Sequence, residues 1–155
     1  MEHSATQSRE REAALGAAIA ALRRRERTVA ELHAWLCDRG TDEELAGEVV
    51  AELVEIGELD DERFAHAFAE DKRALSGWGA ERIEAALVDR GLGRSLAERA
   101  ASEPRDAQLE RAAALLTRRD DDLTDEAGRA RALGYLTRRG YEYELAYDAI
   151  RRVEG

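Results

Sequence analysis

The stretch Ala85-Ala-Leu-Val-Asp-Arg-Gly91, followed by Leu96, decides the fold because two variants of it recur in the chain. The other copies are Ala34-Trp-Leu-Cys-Asp-Arg-Gly40 with Leu45, and Gly134-Tyr-Leu-Thr-Arg-Arg-Gly140 with Leu145. All three reduce to Leu-x-x-Arg-Gly-x-x-x-x-Leu, and their glycines lie 51 and then 49 positions apart. Each copy predicts an amphipathic helix, a glycine that ends it in a left-handed turn, and a second helix whose first buried residue is the trailing leucine.

A fixed period of about 50 residues is typical of helical repeat arrays, in which each unit buries apolar surface partly on itself and partly on its neighbour. Capping boxes at Thr28-x-x-Glu31 and Thr41-x-x-Glu44 predict helix starts, and no strand pattern is present. The sequence therefore predicts an all-α protein of nine helices in three tandem three-helix repeats. The predicted ranges are 1–14 for an N-terminal tail and 15–59, 60–103 and 104–155 for the repeats.

Two further expectations concern individual helices. Met1 to Gln7 lacks a charged-then-apolar signal pattern and is expected to be a frayed tail, so the first helix is expected to begin at Ser8. The helix that opens the second repeat is expected to carry a run of apolar side chains at Phe64, Phe68 and Leu75.

The composition restricts the classes of function. The chain has 24 basic and 34 acidic residues, a net charge of -10. Duplex DNA is a dense polyanion, and a protein that grips it alone normally presents clustered positive charge. One cysteine permits no internal disulfide, which favours a reducing, cytoplasmic location. No run of about 18 apolar residues is present, so the sequence predicts no membrane span.

Two groups of side chains have the spacing of a metal or catalytic site. His33 and Cys37 are four positions apart on one helix face, and Glu62, His66 and Glu70 line another. Neither group is supported by further ligands, and half-exposed or solvated helix faces account for both. The sequence therefore predicts no enzyme, metal or cofactor, and a zinc- or thiol-dependent enzyme at His33 and Cys37 is the least favoured interpretation.

The basic residues, nearly all arginine, gather at helix ends, where a cation at the C-terminus suits the helix dipole. Arg82 falls in the first turn of a helix, where it opposes the dipole, which suggests an external anionic partner. A pair with Glu81 or Asp71 is the internal alternative. Trp78 stands in a glycine-flanked loop, where an indole ring is either a packing plug or a contact surface. The predicted partner-binding residues are Lys72, Arg73, Trp78 and Arg82, with Arg138 and Arg139 as the next candidates.

The hinge Gly57-Glu-Leu-Asp-Asp-Glu-Arg-Phe-Ala65, the segment Gly77-Trp-Gly-Ala-Glu-Arg-Ile83 and the threefold Leu-x-x-Arg-Gly pattern resemble the RecX family of regulatory proteins, over about residues 15 to 153. The resemblance implies tandem three-helix repeats in an elongated, curved molecule without enzymatic activity. It also implies binding to the RecA recombinase, along the groove of its filament on single-stranded DNA. Such binding restrains the filament and thereby modulates recombination and the DNA-damage response.

The chain departs from the family pattern in two ways. Many members are basic, whereas this chain is acidic, and Ala80 stands where the family usually has proline, after a loop that is usually richer in basic residues. The acidic charge bears on independent DNA binding more than on RecA binding. The alternative function is a free-standing nucleic-acid-binding protein that places one helix of each triplet in a groove. A monomer is expected in either case.

The net charge generates the first testable prediction. We expect the protein alone to bind duplex DNA no more tightly than about 10⁻⁵ M at physiological salt, within the non-specific range. Fluorescence anisotropy of a labelled duplex, titrated at several salt concentrations, measures this affinity. A submicromolar dissociation constant with a steep salt dependence would instead favour the free-standing DNA-binding protein.

Overall fold

The computed structural model describes residues 1–155 and is entirely helical, which confirms the all-α prediction. Its nine α-helices are α1 (Glu2–Arg24), α2 (Val29–Asp38), α3 (Glu43–Glu55), α4 (Asp61–Asp71), α5 (Ala80–Asp89), α6 (Arg94–Ala101), α7 (Arg105–Arg119), α8 (Glu126–Arg138) and α9 (Tyr143–Glu154). A π-helical turn, Lys72–Ser76, follows α4 without a break. None of the helices combines the length and the apolar character that crossing a membrane requires.

One of the two predicted capping boxes forms. Thr28 Oγ1 accepts a hydrogen bond from the Glu31 backbone N–H (3.1 Å), and the Glu31 carboxylate accepts one from the Thr28 N–H (3.0 Å). The predicted box at Thr41 is absent, and α3 has no side-chain cap. Thr41 instead donates its N–H to the Leu36 carbonyl (3.0 Å). It closes α2 because the left-handed Gly40, with φ of 98°, turns the chain back over the end of that helix.

The first helix begins earlier than predicted. α1 starts at Glu2 rather than at Ser8, although residues 1–10 are exposed. Nothing in this segment interrupts a helix, and a glutamate in the first turn suits the helix dipole. Arg11 then ties α1 to α3 through ion pairs with Glu48 (2.9 Å) and Glu52 (3.0 Å).

Leu75 lies outside the core, whereas Phe64, the first residue of the same predicted apolar run, lies inside it. Phe64 is buried, but Leu75 is 83% exposed. The π-helical turn explains the difference, because its wider i→i+5 hydrogen bonding breaks the 3.6-residue period that would continue the apolar side of α4.

One compact unit contains residues 1–64 together with Arg90–Leu92. In it α1 packs against α2 and α3, which also contact each other. The buried residues of α1 are all alanines, and small side chains allow helices to approach closely. They meet larger residues of α2 and α3, namely Leu32, Leu36, Val49 and Leu53.

The second compact unit contains residues 65–89 and 93–155. In it α5 packs against α6, and α9 packs against both α7 and α8. The repeat leucines Leu87 and Leu136 are 0% exposed in this unit, as Leu36 is in the first. The leading leucine of the repeated stretch is therefore a core residue in every copy. The repeat boundaries at 15–59, 60–103 and 104–155 stay a prediction.

The Arg-Gly turn of the middle copy lies against the start of α2, within the first unit. Gly91 has a φ of 93°, and a Cβ added there would lie 2.6 Å from the Ala30 Cβ. The Thr28 hydroxyl donates to the Arg90 carbonyl (2.8 Å). Glycine is therefore required at this position for two reasons: the backbone is left-handed, and a neighbouring helix approaches closely. We call this contact of an Arg-Gly turn with a helix start an Arg-Gly seat.

A second Arg-Gly seat joins the last copy to the start of α5, within the second unit. The Gly79 N–H donates to the Arg139 carbonyl (2.8 Å), and the Glu81 N–H donates to the Gly140 carbonyl (3.1 Å). Two of the amides that the start of a helix leaves without internal partners are thereby satisfied. A Cβ added at Gly140 would lie 2.5 Å from the Arg82 backbone nitrogen. By contrast, Gly40 of the first copy has nothing within 4 Å of such an atom.

Because only the last copy of these two forms an Arg-Gly seat, we expect alanine to destabilise the protein to different extents at the equivalent glycines Gly40 and Gly140. Gly40→Ala should lower the free energy of unfolding by about 1–2 kcal/mol, the cost of placing alanine at positive φ. Gly140→Ala should cost more than about 3 kcal/mol, because the added methyl group also strikes the α5 backbone. Urea unfolding followed by circular dichroism measures both values. Equal losses at the two positions would contradict the seat.

Candidate partner-binding site

The six residues selected from the sequence all lie in the second unit, where they form two groups. Lys72, Trp78, Arg82 and Arg138 gather around the start of α5, and we call these four residues the cation–tryptophan patch. Arg73 and Arg139 make contacts inside the unit. The structure thus brings the two parts of the predicted site together, because the second Arg-Gly seat places the end of α8 against the start of α5.

The Trp78 ring supports two cations of the patch. The Arg82 guanidinium lies over the ring, 4.1 Å from its centroid, and Lys72 Nζ lies over the same ring at 4.7 Å. Phe68 packs edge-on against the ring, with 6.3 Å between centroids. Cation–π contacts contribute about 0.5–1 kcal/mol each at exposed sites. The half-buried indole therefore fixes the positions of two like charges that would otherwise move apart.

No carboxylate neutralises these cations. Arg82 donates a hydrogen bond to the Arg138 carbonyl (3.4 Å) and forms no ion pair, so neither internal alternative, Glu81 or Asp71, is realised. The Arg138 side chain is exposed, extends beside Gly134, and has no hydrogen-bond or ion-pair partner. The patch therefore presents positive charge to solvent in a chain whose net charge is -10.

The first Arg-Gly seat uses an ion pair at the equivalent place. Arg90 donates from Nε to one Glu31 oxygen (2.7 Å) and from Nη2 to the other (2.9 Å). Burial disfavours the charged carboxylate, but the hydrogen bonds from Arg90 and from the Thr28 backbone outweigh it and hold the pKa of Glu31 below its ordinary value. The carboxylate thus joins the turn to the start of α2.

The second seat has the opposite charge at the position of Glu31. Arg82 and Glu31 occupy equivalent positions in the repeated pattern. Each of them immediately precedes the buried residue that lies one helical turn before the repeat leucine. Arg139 corresponds to Arg90, so a salt bridge like that of the first seat cannot form. Arg139 instead donates to the Ser76 carbonyl and lies over the Tyr135 ring, 4.7 Å from its centroid. The two seats share their backbone contact and differ in the sign of one side chain.

Arg73 caps the end of α6. Its Nη2 donates to the carbonyls of Ala100 (2.9 Å) and Ala101 (3.0 Å), and its Nε lies 3.1 Å from Glu103 Oε2. Arg111 binds both oxygens of the same carboxylate (2.9 and 2.6 Å). Although burial opposes ionisation, these two guanidinium groups keep the pKa of Glu103 below its ordinary value. Arg73 therefore shares a carboxylate inside the unit, unlike Arg82 and Arg138.

A groove between the π-helical turn and α7 combines residues that the sequence did not indicate, namely Leu75, Arg111 and Arg118, with two that it did, Arg73 and Arg139. It has a volume of about 340 Å³, and its lining includes Arg73, Leu75, Arg111, Arg118 and Arg139. Arg118 looked like a helix-end arginine, and Leu75 looked like an apolar residue of a helix. The π-helical turn brings the two together, and the apolar periodicity of the sequence does not predict that turn.

Two other groups of side chains have metal-site spacing in the sequence, namely His33 with Cys37, and Glu62 with His66 and Glu70. His33 Nδ1 and Cys37 Sγ lie 3.9 Å apart on α2. No group of three or more His, Cys, Asp or Glu side chains is arranged to hold a metal ion.

Comparison with known proteins identifies similar sequences. Residues 60–100 match the family model described as RecX, second three-helix domain. The regulatory protein RecX of Deinococcus radiodurans is 38% identical over 151 residues, which cover 96% of this chain and 72% of that protein. The regulatory protein RecX of Mycobacterium sp. strain JLS is 36% identical over 136 residues, which cover 81% of this chain and 73% of that protein.

Solved structures share the fold. The crystal structure of RecX from Lactobacillus salivarius aligns with a TM-score of 0.85 at 19% identity, covering 95% of this chain and 98% of that chain. A crystal structure of a regulatory protein RecX aligns with a TM-score of 0.84 at 18% identity, covering 97% of this chain and 75% of that chain. The predicted helical-repeat architecture is confirmed at the level of the fold.

The contrast between the seats yields a prediction about stability. Arg82→Glu should leave the free energy of unfolding unchanged or raise it by up to about 1 kcal/mol, because a carboxylate there can pair with Arg139. Glu31→Arg should lower it by about 2 kcal/mol, through loss of the hydrogen bond from the Thr28 N–H and of the ion pair with Arg90. Urea unfolding of each variant tests both signs. A large loss for Arg82→Glu would show that the arginine is needed for folding.

Proposed function

This chain belongs to the RecX family, and on that basis we propose that it binds the filament of RecA recombinase on single-stranded DNA and mainly inhibits its activity. It thereby regulates DNA repair and recombination, as a monomer in the cytoplasm, by binding alone and without a catalytic step or cofactor. The name of its relatives, regulatory protein, supports the regulatory role.

The observation that carries the proposal is the cation–tryptophan patch. Two cations lie over one indole ring, the third belongs to Arg138, whose carbonyl accepts from Arg82, and none of the three forms an ion pair in a chain of net charge -10. Positive charge that forms no ion pair within the fold suggests an external anionic partner. Aromatic and arginine side chains that are already fixed in position lose little conformational entropy on binding, which is why they often anchor interfaces.

The alternative, a free-standing nucleic-acid-binding protein, uses the same cations against phosphate groups. Three neighbouring charges can neutralise about three phosphates, far fewer than the six to ten contacts that give strong, salt-dependent binding. The net charge of -10 of the whole chain weakens even these contacts. A protein partner that supplies apolar and hydrogen-bonding contacts beside its anionic groups therefore fits the patch better.

The proposal predicts a separation of function from stability. Arg82→Ala and Arg82→Glu should weaken inhibition of RecA ATP hydrolysis on single-stranded DNA, by about fivefold for alanine and more for glutamate, because the latter repels an anionic surface. Trp78→Ala should weaken inhibition similarly, since it removes the support of two cations. The midpoint of thermal unfolding should hardly change in the two Arg82 variants. The assay measures RecA ATPase rate against inhibitor concentration, beside a melting curve for each variant.

Arg39→Ala provides a matched control. Arg39 is exposed and lies over the ring of Trp35, 4.7 Å from its centroid, so it repeats the same chemistry in the first unit. Its replacement should leave inhibition within about twofold of the unmodified protein. Full inhibition by both Arg82 variants would exclude the patch as the contact. Absence of any effect of the unmodified protein on RecA would exclude the proposed function itself.

A further inference from the structure

We propose that the groove between the π-helical turn and α7 is a second binding site, which takes an acidic peptide segment of a partner protein that also carries an apolar side chain. The groove is separate from the cation–tryptophan patch, and the inference does not rest on the proposed function.

Leu75 supplies an apolar contact at the rim of the groove. It is 83% exposed, because the π-helical turn directs it away from the core. A single exposed leucine is ordinary on a protein surface. This one borders a concave site, and π-helical turns occur frequently at functional positions.

The lining of the groove contains four arginines and no acidic residue. Arg73 and Arg111 share the carboxylate of Glu103, so together they retain about one positive charge. Arg118 is exposed and has no hydrogen-bond or ion-pair partner. Arg139 is half-buried, and its guanidinium donates to the Ser76 carbonyl without an ion pair. The positive charge that remains in the lining therefore favours an anionic occupant.

The floor of the groove is held by hydrogen bonds and is formed before any ligand binds. The buried Tyr141 hydroxyl donates to the Gly77 carbonyl (2.8 Å) and accepts from Arg111 Nε (2.9 Å). Gly77 has a φ of 65°, and Leu115 packs against it. A preformed site of this kind loses little free energy to ordering when it binds.

A peptide fits these features better than a nucleic acid does. A volume of about 340 Å³ falls at the small end of ligand pockets, enough for one or two side chains. A phosphate backbone would use the arginines but leave Leu75 without a role. A segment with a carboxylate beside an aliphatic or aromatic side chain uses both, and guanidinium groups bind carboxylates through paired hydrogen bonds.

The test uses the full-length protein and a short fluorescein-labelled peptide of alternating glutamate and leucine, followed by fluorescence anisotropy. A matched peptide of glutamine and leucine removes the charge, and an oligodeoxythymidine of the same charge replaces carboxylates by phosphates. Arg118→Glu and Leu75→Ser should each weaken binding of the acidic peptide about tenfold, whereas Arg94→Glu, at an exposed and unpartnered arginine of α6, should change it less than twofold. Arg118 and Leu75 are both exposed, so the variants should fold.

The proposal is supported if the acidic peptide binds and is sensitive to both substitutions in the groove. It is overturned if that peptide does not bind, if the glutamine peptide binds equally well, or if either substitution has no effect. Oligodeoxythymidine binding that depends on Arg118 but not on Leu75 would also overturn it, in favour of a phosphate site. No RecA is present in the assay, so its result is independent of the ATPase experiment.

Discussion

A helix begins with amide groups that have no partner inside the helix, and a buried amide without an acceptor costs about 1–3 kcal/mol. In the second unit the carbonyls of Arg139 and Gly140, which lie far along the chain, accept hydrogen bonds from amides at the start of α5. The contact allows no side chain at the glycine, fixes where α5 begins and brings the end of α8 beside it. The cation–tryptophan patch depends on this arrangement, because Arg82 reaches the Arg138 carbonyl only across the seat.

The two Arg-Gly seats show how a structural contact can become available for recognition. In the first, a carboxylate at Glu31 neutralises Arg90 and joins the turn to the helix start. In the second, Arg82 stands at the equivalent position, so the seat relies on backbone hydrogen bonds and arginine–aromatic contacts. The backbone contact is sufficient without the ion pair, which leaves the sign of this side chain free to serve a partner.

The sequence predicted the helices because their signals are local. The repeated Leu-x-x-Arg-Gly pattern placed Leu36, Leu87 and Leu136 in the core, where each is 0% exposed. It could not predict the seats, since the period gives equivalent positions but not which turn meets which helix start. It also could not predict the π-helical turn that exposes Leu75, because one wider turn breaks the periodicity on which apolar faces are recognised. The sequence indicated the residues of the patch, but it did not predict that the Trp78 ring would hold two of the cations in place.

The partners of the second seat are far apart in the sequence, and this separation determines when the seat can form during synthesis of the chain. Arg82 and the Arg138 carbonyl that receives its hydrogen bond are 56 residues apart. At a synthesis rate of about 5–20 residues per second, Arg82 waits roughly 3–11 s for that acceptor to leave the ribosome's active centre. During this interval the start of α5 has no acceptor from the last repeat, and the patch is incomplete. A half-made chain therefore lacks the assembled surface by which we propose the finished protein recognises its target.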